Sequence, residues 1–283
     1  MKKHIPTILF VIGMIIGVSL LLYPTLSDSW NKKQNADLIA TYDADAASAD
    51  AKTLEAELAK AEAYNQRLAK TGTKWVLTDE EKAEYDSLLD LSGMGIMGHV
   101  DIPKIGVSLP IYHGTDEAVL QMAIGHLEGT SLPIGGESTH CVISGHRGLP
   151  SAKLFTDIDQ LAEGDLFTLT VLDRTITYEV DQIRIVLPDE LQNLEIEEGK
   201  DYCTLVTCTP YGINTHRLLV RGHRVEGKTT KTITEDARQI STTIVACLFG
   251  GSLLVIIGAV YLISLPIRKS RQRKKEKYRK MLS

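Results

Sequence analysis

Cysteine is scarce in this chain: four in 283 residues, with no C-x-x-C pair among them. That excludes a disulfide-stapled miniprotein, and it removes the usual spacing of a structural zinc site. Proline is also sparse, at 9, and no internal repeat or low-complexity tract is visible, which excludes collagen-like chains. With 43% hydrophobic and 24% charged residues the balance is globular rather than wholly disordered, and the length allows one or two domains. Charge is missing altogether from two stretches, Ile5 to Ser27 and Gln239 to Ile267.

Those stretches are where the organisation starts. Ile8 to Tyr23 and Ile244 to Leu265 are apolar runs, and a helix crosses the hydrocarbon with about 20 such residues. The second qualifies outright. The first is shorter, but Tyr23-Pro-Thr-Leu-Ser27 offers no A-x-A-like cleavage site, so an uncleaved signal anchor is expected. Lys2 and Lys3 precede the first run, and Arg268, Lys269, Arg271, Arg273, Lys274, Lys275, Lys277, Arg279 and Lys280 follow the second. Basic flanks stay cytoplasmic, which puts both termini inside and the middle of the chain outside. A basic tail alone also fits nucleic acid, but directly beside an apolar span it reads as a topology determinant that meets anionic lipid.

The flanks hold 11 of the 31 Lys and Arg but only Glu276 of the 36 acids, leaving 20 bases against 35 acids between the spans, a formal −15. An external domain of that charge argues against nucleic acid as its ligand. It begins helically: Asp43 to Lys70 reads as an exposed, moderately amphipathic helix with Leu54, Leu58 and Ala61 on one face. Thr78-Asp-Glu-Glu81 is a capping box opening a short helix through Tyr85 and Leu88, and Trp75 is a lone aromatic in the loop between.

From Gly95 onward the texture is short strands separated by turns. Val100 to Ile105, Leu109 to Tyr112, Tyr202 to Thr207 and Leu218 to Val220 read as strands. Asp165 to Val186 is a hairpin, with Phe167, Leu169 and Val171 alternating, a turn at Asp173-Arg174, and Ile176, Tyr178 and Val180 resuming. Six or more such strands with few helices predict a mainly β fold, a closed or nearly closed barrel with short helices.

Three cysteines, Cys141, Cys203 and Cys208, fall in the external part, and Cys247 lies in the second span. An odd number leaves at least one thiol unpaired internally, a candidate nucleophile. Cys208 is the best placed, at the end of the apolar strand Thr204-Leu-Val-Thr-Cys208 before the turn Thr209-Pro-Tyr-Gly212. A cysteine nucleophile needs an imidazole nearby to favour thiolate and a donor for the developing oxyanion. His146 ends a second apolar strand, Cys141-Val-Ile-Ser-Gly-His146, and Arg217 opens the strand after the Cys208 loop. Taken singly, a histidine at a strand end is more often structural.

Together these segments resemble a known family. Thr204-Leu-Val-Thr-Cys208, with Arg217 nine residues later, is similar to the T-L-x-T-C…R signature of the sortases, and Ser144-Gly-His146-Arg-Gly to their histidine segment. Gly95-Ile-Met-Gly98, Ile102-Pro-Lys-Ile105, Leu109-Pro-Ile-Tyr-His-Gly-Thr115, Gly125-His-Leu-Glu-Gly-Thr-Ser-Leu-Pro133 and Arg217-Leu-Leu-Val-Arg221-Gly resemble the class C, pilus-assembling members of Gram-positive bacteria. So does the second apolar span.

The resemblance implies a sortase-type β-barrel with an N-terminal helical region and two transmembrane helices. Its expected parts are a signal anchor over 1–24, an external helical region with a lid loop over 25–94, a catalytic barrel over 95–225, a linker over 226–241, a second span over 242–266 and a cytoplasmic tail over 267–283. It implies a membrane-bound cysteine transpeptidase that needs no cofactor and no metal. Cys208 would attack the Thr–Gly carbonyl of an LPXTG-like sorting signal, His146 would act as general acid and base, and Arg217 would hold the substrate and the oxyanion. The acceptor in this class is a lysine amine on a pilin subunit. The nearest alternatives are a wall-anchoring sortase using a peptidoglycan-precursor amine and a noncatalytic module that binds sorting signals. A papain-like hydrolase fits less well, because its nucleophile opens a helix whereas Cys208 follows a strand.

Class C lids commonly carry an Asp-Pro-aromatic or Asp-Ser-aromatic triplet, and none occurs between Tyr42 and Leu91. Trp75 is the aromatic that could fill that role as a lid residue, or could simply anchor the helices to the barrel. Cys141 and Cys203 each stand five residues before a candidate catalytic residue and read as two buried thiols in preference to a disulfide. His113, His126, His140, His216 and His223 read as structural or surface groups, His216 facing away from Arg217 by strand alternation. Leu132-Pro-Ile-Gly135 is a turn.

Overall fold

Apolar alternation from Ile96 onward builds eight strands: β1 Ile96–Ile102, β2 Val107–His113, β3 Ile124–His126, β4 Thr139–Gly145, β5 Leu166–Val171, β6 Arg174–Val186, β7 Asp201–Thr209 and β8 His216–Val225. The structure, a computed structural model, describes residues 5–227, 250–252 and 258. The strands close into a barrel in the order β1-β2-β3-β4-β7-β8-β6-β5. Pairs β2/β3 and β4/β7 are parallel and the others antiparallel. Closure leaves no unpaired edge. Its interior holds Val100, Ile111, Ile124, Leu205 and Val220, all at 0% exposure, with Phe167 and Tyr178 stacked 5.5 Å apart.

Within the described residues 5–227, four α-helices accompany the barrel: α1 Ile5–Ser48, α2 Ala51–Thr71, α3 Asp79–Asp86 and α4 Glu117–Leu120. The expected single helix over Asp43 to Lys70 is instead two. Asp50 breaks it by taking extended backbone as the α2 N-cap, its Oδ1 accepting from Thr53 N at 2.7 Å. Nor is that region simply exposed, because Leu58, Ala61, Tyr64, Asn65 and Leu68 are buried on one stripe of α2. Asn65 clamps Leu132 from both sides, donating to its carbonyl at 3.2 Å and accepting from its N–H at 2.8 Å. The Thr78 capping box forms as expected, but α3 ends at Asp86, before the buried Leu88.

Strand boundaries also differ, the expected Leu109–Tyr112, Tyr202–Thr207 and Leu218–Val220 each extending further at both ends. The expected strand from Val100 to Ile105 starts earlier, at Ile96, and stops at Ile102, because Pro103 has no N–H for the ladder and Pro103–Ile105 turns as a 3-10 helix. The three-residue β3 was not expected.

The chain divides into two compact units, Met1–Leu26 with Arg238–Ser283, and Ser27–Ala237. Within the second, Tyr42 on α1 donates to Met97 O at 3.0 Å and accepts from Leu172 N at 2.7 Å, and burial pushes its phenol up to about 12. Within the first, α1 supplies a stretch long and apolar enough to cross a membrane, with mean hydropathy 2.3. A Cβ built on Gly250 would lie 3.6 Å from Leu21 Cδ1, and one on Gly258 3.1 Å from Met14 Sδ. The rest of the expected second span, most of the linker, the basic tail and Cys247 lie outside the described residues.

Candidate active site

On β7, Cys203 and Leu205 point into the barrel and are 0% exposed, so alternation sends Val206 and Cys208 to its outer face. Antiparallel pairing with β8 sets Cys208 directly opposite Arg217. On the other side the parallel β4/β7 ladder ends with Ser144 paired to Val206, and His146 and Cys208 each follow that pair by two residues. His146 just past the end of β4, Cys208 near the end of β7 and Arg217 near the start of β8 therefore come to the same end of the barrel.

Local packing fixes the ends of those strands. Gly145 has no room for a side chain, since a Cβ there would sit 2.8 Å from both Ile124 Cγ2 and Phe155 Cδ2. Phe155 N–H donates to His146 O at 3.2 Å, and Thr207 Oγ1 donates to Gly145 O at 2.8 Å, tying β7 to β4 beside Cys208. Arg217 Nη1 donates to the carbonyls of His216 at 3.1 Å and Asn214 at 3.3 Å, holding the guanidinium over the β7–β8 turn. Cys208 is partly exposed and free. A thiol, an imidazole and a fixed cation brought to one end of the barrel can perform nucleophilic acyl transfer.

Sequence reasoning missed Glu117. Its Oε2 lies 3.6 Å from His146 Nε2. The hydrogen bond from Gln121, with His146 nearby, holds its carboxyl below the ordinary range. A single Glu on a four-residue helix carries no sequence signal.

The same outer face continues past Cys208 and Arg217 into an apolar groove of about 230 Å³, floored by Val142, Val186, Leu194, Val206 and Leu219. Trp75 packs against this floor with Leu127 and Leu191. Val206 and Leu219, opposite each other, are the next same-face pair after Cys208 and Arg217. Trp75 Nε1 donates to Glu195 Oε1 at 3.2 Å. Lys74 N–H donates to Gly129 O at 3.0 Å, and its ammonium pairs with Glu81. The loop is thus held at two consecutive residues, Lys74 and Trp75.

The other candidates are structural. His216 faces away from Arg217, opposite Thr209. His140 bonds Glu195 O at 2.8 Å and Thr204 Oγ1 at 2.7 Å, and burial pulls it down to about 4, so it is neutral at physiological pH. His126 is buried against Ser131 O, at 2.8 Å, and the Tyr85 hydroxyl, at 2.9 Å. Cys141 and Cys203 face each other across β4/β7 as free, buried thiols, and burial together with its neighbour pushes the Cys203 thiol well up. Among the described residues no cluster of three or more His, Cys, Asp or Glu has a metal-binding arrangement.

Residues 100–225 match the family description "Sortase domain". Among solved structures, sortase C1 from Streptococcus agalactiae is 53% identical, with TM-score 0.67 over 68% of this chain and 100% of that one. Sortase C-1 from Actinomyces oris is 43% identical, with TM-score 0.57 over 61% of this chain and 98% of that one. Sortase C from Clostridium perfringens, solved with the C-terminal cell wall sorting motif, is 41% identical, with TM-score 0.60 over 68% and 99%. Sortase D of Bacillus subtilis (strain 168) is 32% identical over 131 residues, 45% of this chain and 63% of that protein. The chain spans about three fifths of the length of this curated relative and of sortase A from Streptococcus agalactiae serotype III, at 63% and 59%.

Proposed function

This chain belongs to the sortase family, with class C members among its structural neighbours, and from that membership we propose that it is a cysteine transpeptidase that polymerises pilins at a membrane surface. The observation that carries the reading is the Cys208–Arg217 pair, with His146 following the neighbouring β4 at the same end of the barrel, beside an apolar groove. The Cys208 thiolate attacks the Thr–Gly carbonyl of an LPXTG-like signal, forming a C–S bond. Arg217 donates to the oxyanion, the C–N bond breaks, and protonated His146 gives its proton to the departing glycine amine. A pilin lysine amine then attacks the thioester. Its proton passes to His146, the C–S bond breaks, and an isopeptide bond replaces it while the thiolate is restored. The Clostridium relative solved with a sorting motif supports a sorting-signal substrate.

Trp75 acts as the lid, lying on the groove floor that an extended apolar signal would occupy. Two spans hold the barrel, expected over 95–225, outside the membrane, with both termini inside. The basic flanks favour this arrangement. So do Gly250 beside Leu21 and Gly258 beside Met14, because the contacts run in opposite chain directions, as in a helical hairpin.

The test is to incubate the full-length chain in detergent with candidate pilins and follow covalent ladders by mass spectrometry. Ladders that require Cys208 and carry lysine linkages support the reading, and ladders persisting in Cys208→Ala overturn it. Thioacyl-enzyme without any lysine linkage moves the assignment to wall anchoring through a peptidoglycan-precursor amine.

A further inference from the structure

We infer that Glu117 is a positioning residue for His146, part of a Gln121–Glu117–His146 chain that orients the imidazole. The inference rests on the proposed reading of Cys208 and His146 as the reacting pair.

Topology brings the residues together. α4 leads into β3, and β3 pairs with the last residues of β4, Ile124 opposite Gly145 and Gly125 opposite Ser144. The start of α4 is thereby delivered beside the residue that follows β4, His146. Glu117 uses its two oxygens in different directions. Oε1 accepts from the Gln121 side-chain amide one helical turn on, which sets the plane of the carboxylate. Oε2 is left facing His146 Nε2 at 3.6 Å.

His146 needs such a partner. Its Nε2 is shielded from solvent and has no hydrogen-bond partner among the described residues, although the ring as a whole is 26% exposed. Glu117 from α4 faces the ring, and Cys208 on β7 and Arg217 on β8 stand at the same end of the barrel. Arg217 opposes a positive imidazole and the Cys208 thiolate supports it only until the thioester forms. Glu117 supplies a negative charge that persists throughout the cycle. With Nε2 directed at Glu117, Nδ1 is the nitrogen free to exchange the reaction's proton, as when a second partner fixes the tautomer of a metal-bound or catalytic imidazole.

The experiment compares steady-state kinetics of the full-length chain and its variants with a sorting-signal peptide. Glu117→Gln should lower kcat about tenfold with little change in KM, and Glu117→Asp should recover part of it. Gln121→Ala, which frees the carboxylate without removing it, should lower kcat by less. An unchanged kcat in Glu117→Gln would overturn the role of Glu117 alone. Undiminished turnover in His146→Ala would instead overturn the underlying pair.

Discussion

Cys208 and Arg217 are direct partners across the β7–β8 ladder, with side chains on the same outer face. The strand pairing therefore sets the distance between nucleophile and cation, and the Arg217 bonds to the His216 and Asn214 carbonyls set its direction. Lysine cannot reproduce that arrangement, since its single ammonium lacks a planar fork that holds a backbone carbonyl and an oxyanion together. Arg217→Lys should lower kcat/KM by about 10²- to 10³-fold, the usual loss for one oxyanion donor. Melting temperature should barely move. Steady-state kinetics with a sorting-signal peptide checks the first, and calorimetry the second.

The lid reading makes a prediction that does not depend on Trp75 alone. Gly129 has φ of +77°, and a Cβ there would lie 1.7 Å from Lys74 O. Gly129→Ala must displace the Lys74 backbone, and with it the residue next in chain, Trp75. Both Trp75→Ala and Gly129→Ala should therefore speed alkylation of Cys208 by a bulky thiol reagent, several-fold over the parent. Equal rates in all three proteins would leave Trp75 as a packing residue only.

Cys141 and Cys203 should behave as inert, reduced thiols. Both are buried, at 1% and 0%, and they oppose each other inside the barrel, where burial disfavours the Cys203 thiolate. Of the three cysteines in the barrel, only Cys208 should be labelled in the native protein. After denaturation all three should be labelled, to the same extent with and without reductant. Reductant-dependent labelling of the pair would show a disulfide instead.

What was legible in the chain was local. The interval between Cys208 and Arg217 is that of a hairpin, and alternation along β8 correctly turned His216 away. The Thr78 box was readable because both halves of the cap lie within one turn. What pairs distant segments was not readable. The parallel β4/β7 ladder that brings His146 to Cys208 skips over β5 and β6, and no local pattern encodes it. Trp75 is bound to Glu195, 120 residues away. The α1–α2 break was hidden because alanine-rich sequence on both sides of Asp50 favours helix equally. β3 is too short, and too rich in glycine, to show a period of two.

The helical layer adds a pH dependence of its own. His99 on β1 bridges two carboxylates, Asp101 on its own strand at 3.0 Å and Asp43 on α1 at 3.3 Å. Burial alone would lower its pKa, but the Asp101 hydrogen bond and the charges of Asp101 and Asp43 outweigh that and raise it. A histidine whose folded value is raised binds its proton more tightly in the folded state. Its contribution is fully present below the unfolded value of about 6.5 and is lost as pH rises through the folded value. Asp101 works in the opposite sense: burial raises its pKa, but the bonds from His99 and Ser108 lower it further, so its contribution persists until strongly acid pH. Between those limits His99 couples α1 to the barrel electrostatically. The melting-temperature gap between the parent and His99→Gln should be widest near about pH 5.5 and should narrow toward about pH 9, past the titration of a raised histidine. Asp43→Asn should follow the same course with a smaller amplitude, because Asp43 is 50% exposed and solvent screens its charge. A gap that stays constant with pH would mean that His99 contributes through packing rather than charge, and one that widens toward pH 9 would reverse the sign of the coupling.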